Sequence, residues 1–282
     1  MKKITNLKEL KLKANLVRHD LINMLFNAGS GHPASSLGTA DIFTALYFNL
    51  LDHNPKKPLW EKRDRLILSC GHYCPVRYAV MAEAGYFAKG ELLTLRKLGS
   101  KLQGHPSRID LPALELSSAS LGQGLGVAVG MALAARLDRK KHFVYCLTSD
   151  GEHDEGSTWE AVNAAAKYKL GNLINIIDRN NIQISGYTHE VWPLEPLKEK
   201  YLAHGWKVFE INGHDFKQII STVEKAKNVG GPVCIIAYTI PGKGVSFMEH
   251  QFSWHGKTPN AEEAAQALRE LNEERERLMR RR

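Results

Sequence analysis

Two short apolar runs limit most strongly how this chain folds. The run at 143–147, FVYCL, leads into Asp150. The run at 173–177, LINII, leads into Asn180 and Asn181. The stretch between them reads as a helix over 156–169. Strand, helix, strand in so short a length is one βαβ unit, whose two strands run the same way. Asp150 and Asn180, separated by 30 positions, then share the carboxyl-terminal edge of a parallel sheet, where open α/β sheets bind ligands. Taken singly, Asp-Gly and Asn-Asn are ordinary turn residues, and Asp150 is an ordinary helix cap. Taken together at this spacing, they set a carboxylate beside an amide oxygen, a donor pair suited to a hard divalent cation shared with phosphate oxygens. Gly151 leaves room for a phosphate near the backbone. A helix starting near Gly156 turns its positive end toward it.

The rest of the chain supports the same class. Helical spacing runs over 6–28 (Leu10, Ala14, Val17, Leu21, Leu25) and stops at Gly29–Ser30–Gly31. A second helix is expected over 39–51, a buried strand over 65–72 and a helix over 73–98. The segment 104–120 is polar and irregular. An apolar helix follows over 121–137, with Gly122, Gly126 and Gly130 forming a smooth packing face. Strands are expected at 143–148, 173–178, 207–211 and 233–239, and a further helix at 216–228. Alternating strands and helices predict a parallel sheet with helices on both faces. The organisation is one domain over 1–260 and an amphipathic helical tail over 261–282, with Ala264, Leu268, Leu271 and Leu278 on one side.

With 43% hydrophobic residues among 282, the chain has enough apolar material for a large core. Its net charge of +8 includes no basic stripe interleaved with aromatics, so no nucleic-acid groove is expected, while a positive bias suits phosphorylated small molecules. The charged N-terminus lacks the apolar region of a signal peptide and no run is long enough to span a membrane, so a cytoplasmic setting is expected. Cys146 and Cys234 fall inside apolar runs as core residues. Cys70, His72 and Cys74 do not have zinc-site spacing.

Several stretches resemble the transketolases: GSGHPASSLG (29–38), KRDRLILSCGH (62–72), GHPSR (104–108), SSASLGQGLGVAVGMA (117–132) and GKGVSFMEHQFSWHGKTPN (242–260), together with the Asp-Gly and Asn pair. The likeness covers about residues 10–260 and is nearest to the separately encoded N-terminal subunit of split transketolases. It implies the thiamin diphosphate-binding fold and thiamin diphosphate with Mg²⁺, or Ca²⁺ or Mn²⁺ in its place. By the resemblance, Asp150 and Asn180 ligate the metal through side chains and Ile182 through its carbonyl. Gly151 lies against the diphosphate, and Ala119, Ser120 and Leu121 line the pyrimidine side. His32, His72, His105 and His255 are the active-site histidines, with His72 and His255 also at the cofactor. Glu155 matches an acid of the network between sites, and Glu160 an acid at the subunit interface. Histidine suits proton handling near neutral pH.

The resemblance also implies what the chain needs. The family's pyrimidine-binding half, which supplies the glutamate that activates the cofactor, has no counterpart in the sequence. A C-terminal subunit is therefore the expected partner, in a heterotetramer that also associates through this module, acting on sugar phosphates. The chain alone is expected to be inactive. Rival readings are the alpha chain of a 2-oxoacid dehydrogenase, a nicotinamide oxidoreductase (GQGLG lacks a preceding strand and the right glycine spacing) and a non-catalytic scaffold. Ser149 stands where the family usually has glycine. If that position needed positive φ, serine would distort the turn before Asp150.

Overall fold

Strands apolar at every position belong inside a sheet covered on both faces. The computed structural model, which describes residues 3–280, places them there. Helix α1 (Leu7–Ala28) is followed by α2 (Pro33–Gly38), α3 (Ala40–Ala45), strand β1 (Arg65–Leu68), α4 (Cys74–Ala84) and α5 (Gln123–Leu137). Then come β2 (Val144–Ser149), α6 (Gly156–Lys167), β3 (Leu173–Arg179) and a small hairpin, β4 (Ile182–Gln183) and β5 (Gly186–Tyr187). The chain continues through α7 (Thr188–Val191), α8 (Leu197–Ala203), β6 (Lys207–Asn212), α9 (Phe216–Ala226), β7 (Val233–Tyr238) and α10 (Ala261–Arg280).

The main sheet has the order β1-β2-β3-β7-β6, and all its pairings are parallel. β2 and β3, inside the sheet, are buried at every position, whereas the edge strand β6 exposes alternate residues. Side chains divide by parity between two cores. Tyr145, Leu147, Ile174, Ile176, Val233 and Ile235 join the core under α1, α3, α4 and α9. Val144, Cys146, Leu173, Ile177, Cys234 and Ile236 join the one under α5, α6 and α8. α1 begins at Asn6, whose side chain accepts from the Lys8 and Glu9 amides, and ends at Gly29 with φ +61°. α10 lies along α1 and buries Ala264, Ala267, Leu271 and Leu278, while Leu268 is partly buried against the same core. The last two arginines of that tail lie outside the described residues.

Three expectations need correction. The helix expected over 73–98 stops at Ala84, where Gly85 turns with φ +89°, and 89–94 is a separate 3₁₀ turn. The segment 39–51 is a short α-helix that widens into a π-turn over Leu46–Leu50. The glycines of α5 do not form one packed face within this chain. Gly122 precedes the helix in the left-handed region, and side chains added at Gly126 and Gly130 would meet nothing. The close approach is made by Gly124, where a Cβ would overlap Ser69 at the end of β1.

Candidate active site

Because the sheet is parallel, the ends of β1, β2, β3 and β7 open onto one edge, where the Asp150–Gly151 and Asn180–Asn181 turns meet. Asp150 follows β2 and is fully buried. Its Oδ1 accepts from the Gly151 amide at 2.8 Å, and its Oδ2 accepts from the Asn181 amide at 2.7 Å and from Arg179 Nη1 at 2.9 Å. The two turns are therefore bonded to each other across the βαβ unit. Asn181 takes φ +66°, a conformation Asn tolerates, and this folds the chain back so that Ile182 enters the hairpin below the turn. Ser149 ends β2 as an extended strand residue in register with Asp178, and it is not among the positive-φ residues. Serine thus costs nothing there, contrary to the expectation of a strained turn. Its hydroxyl accepts from the Glu152 amide at 3.3 Å.

The orientation of Asn180 depends on Asp178, which sequence reasoning passed over as part of a strand. Asn180 Nδ2 donates to Asp178 Oδ2 at 2.6 Å and to Tyr73 Oη at 3.0 Å. Tyr73 itself donates to Asp178 at 2.7 Å, and Thr239 donates to the other carboxylate oxygen. With the amino side of the amide committed, Oδ1 remains as the donor atom for a cation, accepting only from the Ile182 amide at 3.0 Å. Burial raises Asp178 to about 7, against the hydrogen bond from Thr239, with the nearby Asp150 charge adding to the rise. Burial likewise raises Asp150, opposed by Arg179. Two acids raised this way at one sheet edge suit a site that receives positive charge.

The four histidines form a cluster joined to this edge through Tyr73, which bonds Asp178 and Asn180 and whose ring lies 4.6 Å from that of His72. Ring centroids of His32 lie 5.1 Å from His72, 5.7 Å from His255 and 6.4 Å from His105, and His72 lies 5.2 Å from His255. Four separate loops supply them, so the convergence is made by the fold. His32 Nδ1, His72 Nε2 and His255 Nδ1 are buried without a hydrogen-bond partner. Buried polar atoms are normally paired, so three orphans in one cluster mark where a polar ligand fits. Burial holds His32 down at about 4, with the His255 and Arg96 charges acting in the same direction, and holds His72 well below the ordinary value. The cluster is therefore neutral at pH 7.

Arg96 is a second residue that sequence reasoning missed. It donates to Ser30 Oγ at 2.6 Å and to the Gly104 carbonyl at 3.3 Å, tying together the two Gly-His-Pro loops that carry His32 and His105. Its own backbone stands at φ +61°. Gly71 joins a third loop to the cluster. A Cβ there would overlap the Ser118 carbonyl, which precedes Ala119, Ser120 and Leu121. Ala119 and Ser120 are exposed, and Leu121 is half-buried. Gly71→Ala is expected to displace this loop, cost roughly 1–3 kcal/mol by overpacking and weaken cofactor binding. Melting curves and cofactor titration check both. Glu155 and Glu160 are exposed on the first turns of α6 and do not join the histidine cluster within this chain. His105 is exposed at the rim.

Behind the edge, His153 braces the turn. Its Nδ1 bonds the Ser149 carbonyl at 2.7 Å and its Nε2 the Tyr201 hydroxyl at 2.8 Å. Burial lowers it to about 4. A histidine whose folded value lies below its unfolded one contributes stability that is complete above about 6.5 and is lost as pH falls toward 4. For a shift of this size the loss is roughly 3 kcal/mol. The stability advantage of the parent over His153→Gln is therefore expected to shrink between pH 7 and pH 4.5, as followed by thermal melts.

The same fold recurs in known proteins. Residues 10–277 match the family model described as "Transketolase, thiamine diphosphate binding domain". The chain is 40% identical to an apulose-4-phosphate transketolase subunit of Phocaeicola vulgatus, over 95% of this chain and 96% of that protein. It is 41% identical to a 6-deoxy-6-sulfo-D-fructose transketolase subunit of a Clostridium species, over 94% and 97%. Human transketolase is 39% identical over 94% of this chain but 42% of its own length. The crystal structure of Campylobacter jejuni transketolase superposes with TM-score 0.86 at 34% identity, over 98% of this chain. This chain spans about half the length of the solved transketolases it matches, 48% in that case. The chain belongs to the transketolase family, matching its thiamine diphosphate-binding domain and, over nearly their whole length, relatives that are single subunits of split enzymes.

Proposed function

We propose that this chain is the diphosphate-binding subunit of a two-chain, metal-dependent transketolase, moving a two-carbon ketol unit from a ketose phosphate to an aldose phosphate. The observation that carries this reading is the cluster of four histidines, three of them with buried unpartnered ring nitrogens, beside the Asp150–Asn180 edge. The residues fit the cofactor and its metal. Asp150 and Asn180 each retain acceptor capacity, Ile182 adds a carbonyl, and Gly151 presents no side chain. Mg²⁺ is the cation such an oxygen set favours, with Ca²⁺ or Mn²⁺ as substitutes. Thiamin diphosphate, when bound, supplies the stabilisation of negative charge on the transferred carbon that no side chain here provides.

The chain's own part is proton handling and exclusion of water. Neutral His32, His72 and His255 can accept hydrogen bonds from sugar hydroxyls, and a proton taken from one makes a transient imidazolium that burial drives to give it back. Burial keeps His32 and His105 neutral, with the Arg96 charge acting in the same direction, and Arg96 ties their two loops together. Support for a partner comes from relatives that are themselves named as subunits and from transketolases about twice this length. We place the cofactor's pyrimidine half, with the activating glutamate, on a C-terminal subunit in a cytoplasmic heterotetramer. The two similar subunits belong to enzymes named for different ketoses. The sugar, including any pentose phosphate role, is therefore set largely by the partner chain. Calorimetric titration with thiamin diphosphate, with the partner half present, tests the assignment. Binding is expected with Mg²⁺ and lost on chelation, and metal-independent binding of equal strength would refute it.

A further inference from the structure

Arg179, the last residue of β3, belongs neither to the histidine cluster nor to the oxygen set for the metal. Its guanidinium is nearly buried, with 7% side-chain exposure. Nη1 donates to Asp150 Oδ2 at 2.9 Å and to Thr188 Oγ1 at 3.0 Å. Nη2 and Nε donate to Glu195 Oε1 at 2.9 and 3.3 Å. Glu195 is itself 61% exposed. A full positive charge thus sits against a carboxylate assigned to a metal, an unexpected neighbour for a divalent cation.

Two consequences follow. Asp150 Oδ2 already accepts from Arg179 and from the Asn181 amide, so only Oδ1, with the single Gly151 bond, has capacity left. Asp150 can then offer one oxygen, as a small octahedral cation requires, and not two. The charge balance is the second consequence. A buried carboxylate without a partner is strongly unfavourable, and Arg179 offsets part of that penalty in the metal-free chain. The same charge repels an incoming divalent cation until an anion accompanies it.

From this geometry we propose that Arg179 is a positioning residue. It fixes Asp150 as a one-oxygen ligand and stands in for the metal's charge, so that metal uptake waits for the diphosphate. Glu195 trims this effect from the solvent side. The inference rests on the reading of Asp150 and Asn180 as metal ligands.

The test measures Mn²⁺ binding to the chain assembled with its pyrimidine-binding partner, at pH 8 by paramagnetic resonance, with and without thiamin diphosphate. The parent is expected to bind Mn²⁺ weakly alone and at least tenfold more tightly with thiamin diphosphate. Arg179→Gln keeps a donor for Asp150 and removes the charge. It is expected to bind Mn²⁺ alone about tenfold more tightly, shrinking the dependence on thiamin diphosphate. Glu195→Gln is expected to act oppositely, weakening Mn²⁺ binding severalfold, and it decides the matter if the buried variant does not fold. Unchanged or weaker Mn²⁺ binding in Arg179→Gln, or a change in melting temperature alone, overturns the role of Arg179. A parent showing no joint uptake of Mn²⁺ and thiamin diphosphate, and no response to Asp150→Ala, overturns the ligand reading and with it this inference.

Discussion

Asp150→Ala is expected to abolish metal-dependent binding of thiamin diphosphate and to lower ketol transfer by at least about a thousandfold, since a metal that anchors charge contributes several kcal/mol. Three features make the effect large. The carboxylate is fully buried and accepts from the backbone of both turns of the βαβ unit. Its loss removes the negative charge that draws the cation. It also leaves Arg179 uncompensated on that side, with the same sign as the metal. Asp150→Asn keeps shape and hydrogen bonding to Asn181 but loses the charge, so it should fold like the parent and still fail to bind. Melting temperature and cofactor titration measured on both variants separate charge from structure. A parent-like affinity in Asp150→Ala would contradict the assignment of the metal.

His72→Ala is expected to lower kcat/KM by roughly 10²–10⁴-fold, the range for a side chain that handles protons in the reacting complex. His72 is the most enclosed member of the cluster, with an unpartnered Nε2 and contacts to both His32 and His255. Its removal deletes one buried polar atom that has no partner in the free chain, so stability should change little while catalysis falls. The pH profile gives a second signature. His72 is held well below 6.5 by burial and then by the His255 and His32 charges, and His32 is held at about 4. These two groups keep their neutral form as pH falls from 8 to 6. Any acid limb in that window must therefore come from other groups. Initial rates across that range, in parent and His72→Ala, check the claim.

Much of this arrangement is legible in the sequence because it rests on continuous apolar strands. VYCL and LINII are buried on both faces in the fold, with Phe143 partly buried ahead of them, and the acid and amide at their ends fell on one edge as parallel strands demand. The turns around 73–98 were not legible. Leu92 and Leu95 are buried and their spacing imitates a helix, while the chain has already turned at Gly85. Asp178 and Arg179 were hidden for a related reason. They end a strand that is apolar up to Ile177 save for Asn175, and their roles depend on Tyr73, Thr239, Thr188 and Glu195, remote in sequence or beyond the turn. A polar pair at the end of a buried strand, immediately before a candidate ligand, is the signal that would have found them. Arg96 gave no such signal, because its value lies in bridging two loops that only the fold brings together.

The central claim is that this chain supplies the metal-and-diphosphate half of a two-chain transketolase. Its most direct test is ketol transfer from a ketose phosphate to an aldose phosphate, followed by product formation with the chain alone, its pyrimidine-binding partner alone and the two mixed. The account predicts turnover only in the mixture, dependent on thiamin diphosphate and a divalent cation. Comparable turnover by the chain alone, or a mixture indifferent to the metal, would contradict it.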